Sequence, residues 1–339
     1  VIIIGESFSK HHSSLYGYPL PTNPRLEERL RRGELFVFRD VVSPANLTTS
    51  VLSNLFSPAS LGSGQSWKDS PLFPALFKKA GYTTCHLDNQ AAGNDYDYHD
   101  LGLNALFNAR STPLLFTVHN ENRHPYDLEL LDDYDRLTSR DDTPELVVFH
   151  LMGQHVSYSD RYPKEEAYFT PGDIRREDLT QQERQVVADY DNATRYNDQV
   201  VDAILARFTD RDAIAVYLSD HGEEVYDYRD FFCRSHDLPL TPEVCKYQFE
   251  IPFMIWMSDT YRRNRPDVAA QVAGALDRPF SADDLSHLLL DLAGIRCQWY
   301  DPARSLIGER FDTTRPRPLL MGFEPAGNYE TIIGRDRKQ

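Results

Sequence analysis

Apolar residues in this chain come in short unbroken runs, and each run stops at a cluster of polar side chains. Val1-Ile2-Ile3-Ile4 stops at Gly5-Glu6-Ser7. Leu146-Val147-Val148-Phe149-His150-Leu151 stops at Met152-Gly153-Gln154-His155. Ala213-Ile214-Ala215-Val216-Tyr217-Leu218 stops at Ser219-Asp220-His221-Gly222-Glu223-Glu224. Runs with branched and aromatic residues and no alternation predict strands buried on both faces, as in a parallel sheet. Residues 82–87, ending at Asp88-Asn89-Gln90, and 253–257, after Ile251-Pro252, are predicted as further strands. So are 36–42 and 114–117.

Between these runs the period changes. Val51, Leu52, Leu55 and Phe56 recur at helical spacing, which puts Thr48 or Thr49 at a helix start. Helices are also predicted over 72–80, stopped by Gly81, and over 126–137, where the pattern is acidic and amphipathic. Two more are predicted over 178–208 and over 282–293, the latter stopped by Gly294. Residues 58–70 are rich in Ser and Gly and predict a loop, as do the charged and aromatic residues 226–236. Residues 319–323 and 329–333 predict a closing antiparallel pair. The alternation of strands and helices implies an α/β fold in one domain, 1–339. Its sheet is mainly parallel with helices on both faces, and its C-terminal part is small and antiparallel.

In open α/β sheets ligands bind beyond the carboxyl ends of the strands. Glu6, His155, Asp220 and His221 follow such ends and should converge. Carboxylate oxygen with imidazole nitrogen is a donor mixture that suits zinc. A threonine at a helix start has two readings: an N-cap, or a nucleophile whose alkoxide is favoured by the helix dipole and a bound cation. Tyr158, Arg161 and Tyr162, just past His155, are candidates to hold an anion. The adjacent His11 and His12 are set aside, because neighbours on an extended loop point in different directions. Asn46-Leu47-Thr48 and Asn192-Ala193-Thr194 match glycosylation sequons. Both are discounted, since a residue at a catalytic helix start is poorly placed to accept a glycan.

Charge narrows the function classes. The net charge of -16 argues against a nucleic-acid binder, which needs a basic stripe, and against broad binding to an anionic membrane face. Gly62-Ser63-Gly64 lacks the third glycine of a dinucleotide fingerprint, and no P-loop occurs. No C-x-x-C occurs among the 4 cysteines, which argues against a zinc ribbon or thioredoxin-type site. Cys233 and Cys245 bracket His236. A loop-closing disulfide is expected there in an oxidising compartment, with two buried thiols as the alternative. No apolar run reaches membrane-spanning length. The chain opens on Val1 rather than Met, as an excised soluble domain would.

Several segments in one unbroken order carry a resemblance. They begin with Gly5-Glu6-Ser7, Tyr16-Gly17-Tyr18, Thr22-Asn23-Pro24 and Thr48 at a helix start. Gly81-Tyr82-Thr83-Thr84 with Asn89-Gln90 follows, then His150-x-x-Gly153-x-His155 with Tyr158 and Arg161-Tyr162-Pro163. Tyr190-Asp191-Asn192, Ser219-Asp220-His221-Gly222-Glu223 and His236 complete the set. Together they resemble the alkaline-phosphatase/sulfatase superfamily, and within it the membrane-anchored phosphoethanolamine transferases of Gram-negative bacteria.

The resemblance implies an alkaline-phosphatase-like fold. It implies Zn2+ held by Glu6, Thr48, Asp220 and His221, with Thr48 as nucleophile. His155 and His236 would contact the phosphoryl group or a second zinc. The implied reaction moves phosphoethanolamine from phosphatidylethanolamine to lipopolysaccharide, at lipid A or a core sugar, or to another envelope acceptor. It passes through a phosphothreonine-type intermediate at the periplasmic face of the inner membrane. N-terminal membrane segments outside this sequence would anchor the domain.

The sequence also departs from the family pattern. Val156 follows His155 where close relatives often have Gly-Pro, and Thr49 beside Thr48 leaves the nucleophile open by one position. Residues 94–100 and 223–230 look particular to a branch, closer to relatives that act on core sugars. A lipoteichoic-acid-synthase type, a phosphodiesterase and an inactive envelope-binding relative are the alternatives. An arylsulfatase is disfavoured, because no Cys/Ser-x-Pro-x-Arg signature occurs.

Overall fold

The computed structural model describes residues 1–90, 106–107, 110–139, 143–236 and 238–335. The branch-specific segment 94–100 lies outside them. The unbroken apolar runs form one seven-stranded sheet. Its strands are β1 (Ile2–Gly5), β2 (Leu35–Phe38), β3 (Thr83–Asp88), β4 (Val118–His119), β5 (Glu145–His150), β6 (Ile214–Ser219) and β7 (Phe253–Met257), in the order β2-β7-β6-β1-β5-β3-β4. β1 pairs in parallel with β5 and β6, and β3 in parallel with β4 and β5. β7 runs antiparallel to both its neighbours, β2 and β6. This is the mainly parallel, alkaline-phosphatase-like arrangement that the sequence resemblance implies.

Alternate residues of each central strand feed two hydrophobic layers. Ile2, Ile4, Val148, Val216 and Leu218 pack with Val51, Leu52 and Leu55 of α1 (Thr48–Leu55) and with Leu285 and Leu288 near the C-terminus. Ile3, Val147, Phe149, Ala215 and Tyr217 pack on the other face against Val200, Val201 and Ile204 of α2 (Gln181–Ala206). Each such fully buried aliphatic contributes about 1.5–3 kcal/mol, so the two layers hold the strand ends in fixed register. α2 starts at Gln181 because Thr180 and Glu183 form a reciprocal capping box there.

Three local expectations change. Residues 36–42 split at Arg39-Asp40: β2 stays in the main sheet, while Val41–Val42 pairs in parallel with Phe280–Ser281. Residues 114–117 are not a strand. Pro113 sits in the first turn of a short helix, Thr112–Leu115, where it costs no hydrogen bond, and Leu114 is left 71% exposed. At the C-terminus Pro318–Met321 pairs with Glu324–Asn328 rather than with 329–333. The Asn328 side chain accepts from the N–H groups of Glu330 and Thr331 and so starts a helix, Tyr329–Ile332. The expected Cys233–Cys245 disulfide is not formed: both thiols are free, with Cys245 buried. Asn46 and Asn192, the two sequon residues, are buried.

Candidate metal centre

The ends of β1 and β6 lie side by side, so Glu6, Asp220 and His221 meet there although they are far apart in sequence. All three are fully buried. His221 Nε2 lies 3.3 Å from Glu6 Oε1 and 3.1 Å from Asp220 Oδ2. α1 delivers the hydroxyl: Thr48 Oγ1 donates to Glu6 Oε2 at 3.1 Å and lies 3.3 Å from His221 Nε2. The N-cap of α1 is Leu47, so the Thr48 side chain is not used in capping. Of the two helix-start threonines, Thr48 is the one whose hydroxyl meets these groups.

The surroundings aim each donor. The Ser7 N–H donates to Asp220 Oδ1 at 3.0 Å, and the Ser7 hydroxyl donates to Glu6 Oε1 at 2.7 Å. Gln90 Nε2 donates to Glu6 Oε2 at 3.0 Å. Gly153 crosses so close to Glu6 that a Cβ there would stand 2.8 Å from the Glu6 N and O atoms, and its φ of +50° favours glycine. His221 Nδ1 lies 2.8 Å from the Gly222 carbonyl and is placed to donate to it, which turns Nε2 to the cluster.

The cluster attracts positive charge. Burial pushes the Glu6 carboxyl up, but His221, Arg234 and His155 outweigh it and hold Glu6 well below the usual carboxylate range. Burial and Arg234 oppose protonation of His221, yet Asp220 and Glu6 raise it to about 9. Asp220 Oδ2 is buried and faces His221 Nε2 at 3.1 Å. Two carboxylates, an imidazole nitrogen and a hydroxyl are a donor set that can hold a divalent cation of the zinc type.

The other candidates are placed differently. His155 is half-buried with Nδ1 2.6 Å from the Val156 carbonyl, and it acts on Glu6 through space. His236 is exposed, outside the cluster. The residue this loop turns inward is Arg234. Its guanidinium rests against His221 Nε2, and its Nε lies 3.5 Å from Glu223 Oε2. The sequence reading missed it; the available signal was a cation two positions before His236 in a loop that follows a ligand-bearing strand. Tyr158, Arg161 and Tyr162 do not form an anion pocket. Tyr158 donates to Glu223 and Tyr162 to Asp189, while Arg161 bonds the Ser157 carbonyl. His12 is a buried structural group between Asp191 and Asp227, and His11 pairs with Glu250.

A buried carboxylate–imidazole–hydroxyl cluster at the strand ends of a mainly parallel sheet is the kind of donor set that metal-dependent α/β enzymes use. Residues 1–295 match the sulfatase family, and the chain belongs to it. It is 31% identical over 331 residues to the phosphoethanolamine transferase EptC of Escherichia coli O18:K1:H7, covering 93% of this chain and 54% of that protein. The chain spans about half the length of the curated relatives it matches. Two solved structures cover most of it. The C-terminal periplasmic domain of EcEptC from Escherichia coli is 31% identical with a TM-score of 0.79, over 95% of this chain and 88% of that one. The zinc complex of the same domain is 29% identical with a TM-score of 0.82, over 97% and 92%.

Proposed function

We propose that the chain is the catalytic domain, residues 1–339, of a membrane-anchored phosphoethanolamine transferase. It works at the periplasmic face of the Gram-negative inner membrane. Phosphatidylethanolamine is the donor, and lipopolysaccharide, at lipid A or a core sugar, or another envelope glycan is the acceptor. The observation that carries this reading is the meeting of the Thr48 hydroxyl with Glu6 and His221 beside Asp220. The likeness to EptC over 93% of the chain and to the zinc complex of its periplasmic domain supports it.

Glu6, Thr48, Asp220 and His221 are the residues that would hold zinc. When bound, zinc lowers the pKa of a hydroxyl and neutralises charge on phosphoryl oxygens. Thr48 is the nucleophile. Its proton is already shared with Glu6 Oε2, and its oxygen attacks the donor phosphorus. The bond from phosphorus to the diacylglycerol oxygen breaks, that oxygen takes up the proton Thr48 gives up and departs as diacylglycerol, and phosphoethanolamine remains on Thr48. An acceptor hydroxyl oxygen then attacks the phosphorus, the bond from phosphorus to Thr48 Oγ1 breaks, and the acceptor's proton restores the Thr48 hydroxyl. Arg234 brings a permanent positive charge to the place where phosphoryl oxygens gather. His155 and His236 are assigned here to phosphoryl contact or to a second metal.

The test is Thr48→Ala in the full-length protein, with fluorescent phosphatidylethanolamine as donor and lipopolysaccharide as acceptor, followed by peptide mass analysis. The variant is expected to fold, to lose transfer, and to lose a phosphoethanolamine adduct that wild type carries on the Thr48 peptide. Full transfer by Thr48→Ala, or an adduct on Thr49 in its place, overturns the assignment.

A further inference from the structure

A second cluster lies on the same face of the sheet, among residues that the proposed reaction does not use. His86 and Asp88 alternate on β3 with Cys85 and Leu87, so both point to the face covered by α1. Parallel pairing sets Asp88 beside His150, the last residue of β5, and His86 beside His119 on β4. One donor atom each from His86, Asp88 and His150 lies within 4.8 Å of the others. The three residues are 4%, 3% and 1% exposed. His150 Nδ1 is 3.1 Å from Asp88 Oδ1.

Two ring atoms in this cluster are left without partners. His86 Nε2 and His150 Nε2 are both buried and have no hydrogen-bond partner among the described residues. Burial without a partner costs about 1–3 kcal/mol for each such group, so two orphans in one cluster need an explanation. Packing explains only the rest of the His86 ring, which stacks on Phe116 at 4.5 Å and tilts against Phe107. A cation would take up both lone pairs and be balanced by the Asp88 carboxylate.

We propose that His86, Asp88 and His150 form a second divalent-cation site of the zinc type. It shares no residue with the Glu6, Thr48, Asp220 and His221 set, nor with His155 and His236. Two imidazoles and one carboxylate are borderline donors that favour zinc over magnesium or calcium. On the β4 side, half-buried His119 continues the row of imidazoles towards the sheet edge. An ion there would tie β3 to β5 directly beneath the ends that carry Gln90 and Leu151, both of which contact each other at the first cluster.

The test is elemental analysis of full-length protein, expressed with added zinc so that a buried site fills during folding, and purified without chelator. Wild type is expected to carry about two zinc ions per chain, and His86→Gln and Asp88→Asn about one each. Asp220→Asn is also expected to carry about one, by losing the other ion. Far-UV circular dichroism verifies the fold of each variant. His86→Phe extends the aromatic stack while removing a ligand, and with zinc present it is expected to melt below wild type. A wild-type content of about one that Asp220→Asn abolishes overturns the site. So does a second ion that His86→Gln and Asp88→Asn both retain, or a His86→Phe melting temperature at or above wild type. In those cases the two lone pairs face ordered water.

Discussion

Replacing Arg234 by Met tests how strongly the loop after β6 is coupled to the cluster at the strand ends. Methionine keeps much of the length and removes the charge. In the structure the guanidinium rests against His221 Nε2 and 3.5 Å from Glu223 Oε2, and Glu6, Asp220 and Glu223 are all fully buried. Removing one partner of a buried ion pair costs about 3–5 kcal/mol. The Arg234 side chain is 14% exposed, so the lower end, about 3 kcal/mol, is expected. For 339 residues, an unfolding entropy of about 2.1 cal/mol/K per residue sums to about 0.7 kcal/mol/K. The metal-free variant should therefore melt about 4 °C below metal-free wild type. A cation held by Glu6, Asp220 and His221 would supply the missing charge, so added zinc should shrink the gap to about 1 °C or less. The assay is four melts, wild type and Arg234→Met, each chelated and each with excess zinc. Equal losses with and without zinc would refute the coupling. No loss in the chelated pair would refute the electrostatic role of Arg234 altogether.

Other outcomes follow from single groups. Burial opposes the charge on His12, but Asp191 and Asp227 raise it from 6.5 to about 10. That stability is fully present below about pH 6.5 and lost as pH rises towards about 10, so denaturant midpoints should fall over this window. The fall should flatten in His12→Gln, and an unchanged slope would remove His12 as the cause. Gly153→Ala puts a Cβ 2.8 Å from the Glu6 backbone in a left-handed conformation. Zinc affinity by titration is expected to drop about tenfold, the equivalent of about 1.4 kcal/mol, and an unaltered affinity would show that Glu6 tolerates the shift. Thr180→Ala removes the capping box of α2 and should cost about 1 kcal/mol in urea unfolding, whereas no change would mean that the helix start is held by packing alone.

The local elements were largely legible in the residue pattern. Unbroken apolar runs placed β1, β3, β5, β6 and β7 within a residue or two. The abrupt ends of the runs marked Glu6, Asp220 and His221, and helical spacing placed Thr48 or Thr49 at the start of α1. These features are local: a run of Val and Ile buries both its faces wherever it lies, and its period appears in consecutive positions. The failures were local as well where a short-range signal competed, as with Pro113 opening a helix and Asn328 capping one.

What only the tertiary structure decided is which tips become neighbours. The order β6-β1-β5-β3 brings Asp220 to Glu6 and His150 to Asp88, and no periodicity along the chain encodes that order. The same packing turned Arg234 inward, left His236 exposed and left the Cys233 and Cys245 thiols free. It also made His86 and Asp88, which read along the chain as ordinary strand residues, two sides of a buried cluster. The physical reason is that strand and helix formation depends on a residue's near neighbours. Convergence depends instead on how two hydrophobic layers, built from distant segments, close over one sheet.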